Sequence, residues 1–327
     1  MRATVKAVQF VISICLVGLL ASAGNAQQQP NPTKAVQLTG LVGVKNNTKG
    51  NLAVENGSLR FTHSASTSDL APSSIQDVIT GGDSQRVIGG TMGTVSMFGP
   101  YGSGRFLSLF RSKIDTLTIQ YRDADGGLHG VIFSTTPVGT ADVIKNELIG
   151  QGAHTSIPAQ GAPAANASDP PDTKEQVSHV QDKLPSKINA SAITVMMIHS
   201  DEIKLPAEFQ VSLYENLIEQ LQKKGGFQHV YREGDRNSAG APNLIIVRST
   251  VRGFKQGSEM ARQVTTVAGA TSVTVRCEFT DKDGKLLLTR DIKGNVRFFG
   301  GNLKATYDFA KKAAAVTHEN FAPVAAS

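Results

Sequence analysis

The chain has 327 residues, with 33 lysine and arginine against 27 aspartate and glutamate, a formal net charge of +6. The excess is small and scattered, which argues against a nucleic-acid binder and leaves solubility and weak attraction to anionic surfaces. Of its two cysteines, Cys15 and Cys277, only the second lies in the body of the sequence, so no internal disulfide framework is expected and each fold must rest on a hydrophobic core.

The first 26 residues read as a secretory signal peptide. Arg2 and Lys6 supply the positive start, Val8 to Leu20 the apolar run, and Ala21-Ser22-Ala23-Gly24-Asn25-Ala26 the small residues before a cut between Ala26 and Gln27. The run is short for a membrane span, which needs about 20 apolar residues. Ile14 before Cys15 breaks the small-residue rule for lipid attachment. Removal of Arg2 and Lys6 leaves 31 basic and 27 acidic residues, a net of +4. No later segment is apolar enough to span a bilayer, and a secreted or periplasmic location is expected.

Residues 27–35 are rich in Gln, Pro and Asn and are expected to be disordered. A first domain over 36–150 opens with Val36, Leu38, Leu41, Val42 and Val44, followed by a turn at Asn46–Gly50. Leu52 and Val54 lead into Asn56-Gly57, a strong hairpin signal, and Leu59, Phe61 and His63 alternate onward. Ile75, Val78 and Ile79 suggest a strand. Residues 81–104 hold eight glycines and read as a long loop. Leu117, Ile119 and Tyr121 alternate with polar residues, Asp123–Gly127 turns the chain into Leu128–Ser134, and a helix over 138–150 carries Val143, Ile144 and Leu148 on one face.

A Pro- and Ala-rich stretch, 151–190, reads as an interdomain linker. The second domain, 191–322, alternates through Ile193, Val195, Met197 and His199. A helix opens at Pro206, with Phe209, Leu213, Leu217 and Leu221 every four residues, and Lys223, Lys224 and Gly225 at its end. A short strand follows at Phe227–Tyr231, then a long β run at Asn243–Phe254 and strands at Val273–Phe279 and Leu286–Val296. A last helix places Leu303, Tyr307, Ala310, Ala314 and Thr317 on one face, and 323–327 is a tail. The expected class is α+β: a β-rich barrel or sandwich closed by a helix, then a β-α-β-β-β-β-α antiparallel-rich sheet with helices on one face.

Two resemblances attach to these segments. Gly40–Val44, Ile75–Val78, the Leu117–Ser134 hairpin and the Val143–Leu148 helix resemble bacterial pleckstrin-homology-like domains. Phe209–Gly225, Phe227–Val230, Asn243–Val247, Phe279–Leu287 and Gly300-Gly301 are similar to a bacterial envelope domain related to the curli-secretion lipoprotein and the N-terminal domain of the Tol-system propeller protein. Neither implies catalytic residues. The first implies that basic residues around the first hairpin hold anionic head groups. Lys45, Lys49 and Arg60 occupy that region, and the bland alternative is three solvated charges beside turns.

The motifs of reaction chemistry are weak. Two Asp-x-Asp-Gly turns, at Asp123 and Asp281, suggest calcium, but the loops are short of ligands and Lys285 would repel a cation, so backbone-capping turns are expected. Gly102-Ser103-Gly104 lacks the spacing of a phosphate cradle, His318-Glu319 lacks the second histidine of a zinc protease helix, and no Gly-x-Ser-x-Gly elbow occurs. Cys277 lies in the apolar phase of its strand and reads as a buried thiol. Arg297, Phe298 and Phe299 form a candidate interface patch. The expectation is a non-enzymatic module without cofactor or metal, acting on other envelope proteins or a membrane surface and not on nucleic acid. Anionic lipid or small-ligand binding and an unrecognised hydrolase are the alternatives.

Overall fold

Asn56 and Gly57 both take positive φ, 50° and 74°, the backbone that a two-residue hairpin demands. Around that turn the computed structural model builds its first sheet. The structure describes residues 32–83, 115–156, 186–200, 202–257, 270–296 and 301–323. The expected signal peptide with its Ala26–Gln27 cut, most of the Gly-rich stretch, the interior of the expected linker and Arg297–Phe299 lie outside the described residues.

Strands β1 (Thr33–Thr39), β2 (Thr48–Glu55), β3 (Ser58–His63), β4 (Ser66–Leu70), β5 (Ile75–Thr80), β6 (Asp115–Arg122) and β7 (Leu128–Thr136) form one sheet in the order β4-β3-β2-β1-β7-β6-β5. Every pairing in it is antiparallel. The two edges are consecutive in the chain, joined only through Ala71–Ser74. A flat sheet of this width would hold its edges about 29 Å apart, whereas that link reaches about 18 Å. The sheet therefore curls around its own core. Leu52, Leu59, Phe61, Ile75, Val78, Ile119 and Phe133 fill the inside, and α1 (Thr140–Gly150) covers it through Ala141, Ile144 and Leu148. The curl does not close: β4 and β5 remain edges, so the barrel form of the expectation is corrected to an open, curled sheet.

The boundaries differ in instructive ways. β1 starts at Thr33, inside the stretch expected to be disordered, because pairing on both sides satisfies its backbone. Leu41–Val44 is a turn, broken by Gly40 and Gly43 at φ 92° and 76°. At the linker ends, Thr155 donates to the Val78 carbonyl, Ser156 bonds Asp77, and Ile188–Ala190 is a strand, β8.

The second sheet runs β10-β9-β11-β12-β13, from β9 (Ala192–Val195), β10 (His229–Arg232), β11 (Leu244–Lys255), β12 (Thr271–Asp281) and β13 (Leu286–Val296). It is mixed. β10 and β11 lie parallel to β9, and the β11-β12-β13 meander is antiparallel. Helices α2 (Ala207–Lys224) and α3 (Lys304–Asn320) cover one face, and β14 (Phe321–Pro323) pairs with β8.

Helix α2 is buried on two sides. Its apolar stripe, Phe209, Leu213, Leu217 and Leu221, is buried; Leu213, Leu217 and Leu221 join Val247, Val275 and Phe279 of the second sheet, and Phe209 packs on Phe254. Burial of each such side chain contributes about 1.5–3 kcal/mol. Val211 and Glu215 turn instead to Gly130 on the outer face of β7, and Leu128 and Ile132 of β7 belong to the same core as α2. The molecule is thus layered as sheet, helices, sheet, and Pro32–Ser327 forms one compact unit. Tyr307 is 47% exposed; Thr306, Phe309, Ala310, Ala313, Ala314 and Thr317 make the inner face of α3.

Candidate functional site

The densest group of buried ionisable side chains lies where β7, α2 and β10 meet. Glu215 accepts from the Gly130 N–H at 2.8 Å, from Arg232 Nη1 at 2.7 Å and from Arg232 Nη2 at 2.8 Å. Arg232 Nη1 also donates to the Leu128 carbonyl at 3.1 Å. The Tyr214 hydroxyl donates to the Leu128 carbonyl and accepts from the Glu233 N–H. Backbone bonds join the halves directly: Leu128 N–H to the Glu233 carbonyl at 2.9 Å, and Arg236 N–H to the Asp125 carbonyl at 3.0 Å. Only glycine permits this approach. A Cβ on Gly130 would lie 2.5 Å from Val211 Cγ1, and one on Gly126 would lie 2.8 Å from the Gly234 carbonyl oxygen.

At the edge of this seam His129 Nε2 bonds Asp123 Oδ2 at 2.8 Å and its ring stacks on Tyr121 at 5.0 Å. His129 Nδ1 is buried without a hydrogen-bond partner. Burial, with the nearby Arg232 cation, holds the His129 pKa below its ordinary value, although Asp123 and Glu215 pull the other way. The Asp123 carboxylate is held low despite partial burial, by its bonds to His129 and to the Gly127 and Asp125 N–H groups. Burial pushes Tyr121 up to about 12.

The Asp123 turn itself is a backbone cap. Asp123 Oδ1 accepts from Asp125 N–H and Gly127 N–H, and Asp281 Oδ1 accepts in the same way from Asp283 N–H and Lys285 N–H. In both turns the glycine has positive φ, 89° and 83°. The two carboxylates are spent on holding the turn, which is the capping role expected from sequence. Among the described residues, no group of three or more His, Cys, Asp and Glu is placed to hold a metal, and no helix is long and apolar enough to cross a membrane.

Lys45, Lys49 and Arg60 are not gathered into one site. Lys45 lies in the turn before β2, and Lys49 is exposed on β2. Arg60, on β3, pairs across the strands with Ala53, four residues or about 13 Å along β2 from Lys49. Its guanidinium is already held by Asp69 at 2.8 and 3.2 Å and by Glu55 at 3.5 Å. Cys277 is fully buried beside Ser249, and burial pushes its thiol up to about 12, so it is no nucleophile at neutral pH.

Two surface features went unread in the sequence. The face of the second sheet away from the helices carries Arg248 opposite Glu278 and Thr250 opposite Arg276, with Arg276 bonded to Asp291 at 2.9 and 3.2 Å. A groove of about 500 Å³ lies between the end of α2 and α3, lined by Lys224, Lys311, Ala315, His318 and Glu319. The seam was missed as well. Its signal in the helix was a single acidic residue, Glu215, buried in the middle of α2.

No family model matches the chain. No curated protein matches it. Solved structures show a partial likeness. A single-substitution variant of the PelC dodecamer from Paraburkholderia phytofirmans aligns at TM-score 0.31 and 14% identity, over 41% of this chain and 93% of that chain. A PelC dodecamer from the same organism in a second crystal form aligns at TM-score 0.31 and 12% identity, over 42% and 93%. A putative neuraminyllactose-binding hemagglutinin homolog from Helicobacter pylori aligns at TM-score 0.23 and 12% identity, over 43% and 90%. Likeness at this level carries nothing about function, and the two resemblances drawn above rest on the sequence alone.

Proposed function

We propose that this protein is an exported, non-catalytic binding or assembly module whose partners are other envelope proteins. One observation carries this: the buried charged side chains are spent on architecture. Asp83 pairs with Lys145 at 2.7 Å, His129 with Asp123, and Glu215 with Arg232. These groups hold elements of the fold to one another, and Glu215 with Arg232 also holds β7 to the second half, so the molecule meets others through its surface. The signal peptide in the sequence supports export. The charged face of the second sheet away from the helices suits a partner, because its rows of Arg, Glu, Thr and Asp offer directional polar contacts.

The test is crosslinking in the cells that make the protein, with a photoreactive residue placed at position 250, beside the Arg248–Glu278 pair. A recurrent protein neighbour, lost in Arg248→Glu with Glu278→Arg, supports the proposal; monomer alone, with no recurrent neighbour, counts against it.

A second reading, contact with an anionic surface, is favoured by the groove at the end of α2 rather than by the first hairpin. Lys223 and Lys312 are each paired with a carboxylate one turn away, whereas Lys224 and Lys311 line the groove. Sedimentation with phosphatidylglycerol vesicles at low salt, reversed by high salt and by Lys224→Glu with Lys311→Glu, would support it. Equal sedimentation of the variant would not.

A further inference from the structure

We propose that His129 makes the seam between the two halves acid-sensitive, because its protonation sets a cation on β7 against the Arg232 cation on β10. The geometry favours the neutral ring. With Nε2–H donating to Asp123, Nδ1 is a lone pair in a buried, unpartnered position. Protonation would turn that atom into a donor with nothing to receive it, at the cost of an unsatisfied buried group.

The groups around the imidazole come from every element of the seam. Asp123 lies on the turn after β6 and Tyr121 on β6 itself. From the second half come Arg232 of β10 and Glu215 of α2. Asp123 attracts an imidazolium through Oδ2, the oxygen that already bonds Nε2, while two backbone N–H groups hold Oδ1. Glu215 attracts it too, but both its oxygens are held by Arg232. Glu233 is turned to the Met197 N–H at 2.7 Å. Arg232 and burial therefore decide the balance, and they oppose the charge. The same Arg232 donates to the Leu128 carbonyl, and Glu215 receives the Gly130 N–H. The strand that carries His129 is thus held to the second half on either side of it. Strain at His129 falls on those bonds.

The test is amide hydrogen exchange on the whole chain, corrected for intrinsic rate, at about pH 7.5 and about pH 5, on either side of the ordinary histidine pKa. The expected result is a loss of protection of about tenfold or more at Leu128 and Gly130, the scale of one buried polar group left unsatisfied. Val275 and Cys277, inside the second sheet, keep theirs. In His129→Gln, which retains a donor for Asp123 but does not titrate, the seam becomes insensitive to this pH step. Unchanged protection in the native protein, or an equal loss in His129→Gln, overturns the proposal. If the variant does not fold, NMR titration of the His129 ring in the native chain decides. A midpoint below about 6.5 that coincides with the seam change supports it, and one at or above about 6.5 overturns it.

Discussion

Gly130 is where the first sheet touches α2, and its missing side chain is occupied by Val211. Gly130→Ala should therefore cost about 1–3 kcal/mol by overpacking, read from urea denaturation. Val211→Ala in the same chain should recover part of that loss, because the two positions share one contact and their effects do not add. Glu215→Ala should cost more, about 3–5 kcal/mol, since it leaves Arg232 as a buried charge without its partner and strips the Gly130 N–H of its acceptor. The sign of the His129 effect is fixed by its lowered pKa. Stability is complete above the unfolded value near about 6.5 and is lost as pH falls from there through the folded value. Denaturation midpoints measured across that window should decline toward acid. Cys277, with its thiol pushed up to about 12, should resist disulfide-exchange reagents at about pH 8 in the native protein and react only on unfolding; labelling of the folded chain at the rate of a free thiol would contradict this.

At the scale of elements, α2 shows what a sequence reveals and what it hides. Its four-residue apolar spacing announces a helix with one buried stripe, and Lys223, Lys224 and Gly225 mark its end as the structure has it. The polar contacts were hidden: Glu215 looks solvent-facing until Gly130 and Arg232 supply its partners, and so do Ser212 and Asn216 until Thr306 of α3 supplies theirs. Polar burial depends on partners distant in the chain, which periodicity does not report. β4 escaped for a related reason. Its residues Ser66–Leu70 are an edge with only Leu70 buried, so it carries no apolar alternation. The candidate cations stand apart: the resemblance implied Lys45, Lys49 and Arg60 together, whereas the Arg60 guanidinium is held by cross-strand Asp69. Leu217→Ala, facing the second sheet, should cost about 2–5 kcal/mol, whereas Tyr307→Gln on the exposed side of α3 should fall within about 0.5 kcal/mol of the native chain.

At the scale of the molecule, the two sheets share α2, a buried ion pair and two backbone hydrogen bonds, so neither half is independent. Residues 186–323 alone would expose Val211, Tyr214 and Glu215, which β7 otherwise covers, so that fragment should be markedly less stable than the whole. A rigid frame of this kind presents its surfaces at fixed positions, which is what a binding or assembly module requires. The measurement that bears most directly on this is urea unfolding followed by hydrogen exchange and mass spectrometry, with peptides from Ile119–Phe133 and from Val273–Phe279 read in the same samples. One shared midpoint for both regions is the predicted result. Two separate midpoints, with one sheet surviving the loss of the other, would contradict the account.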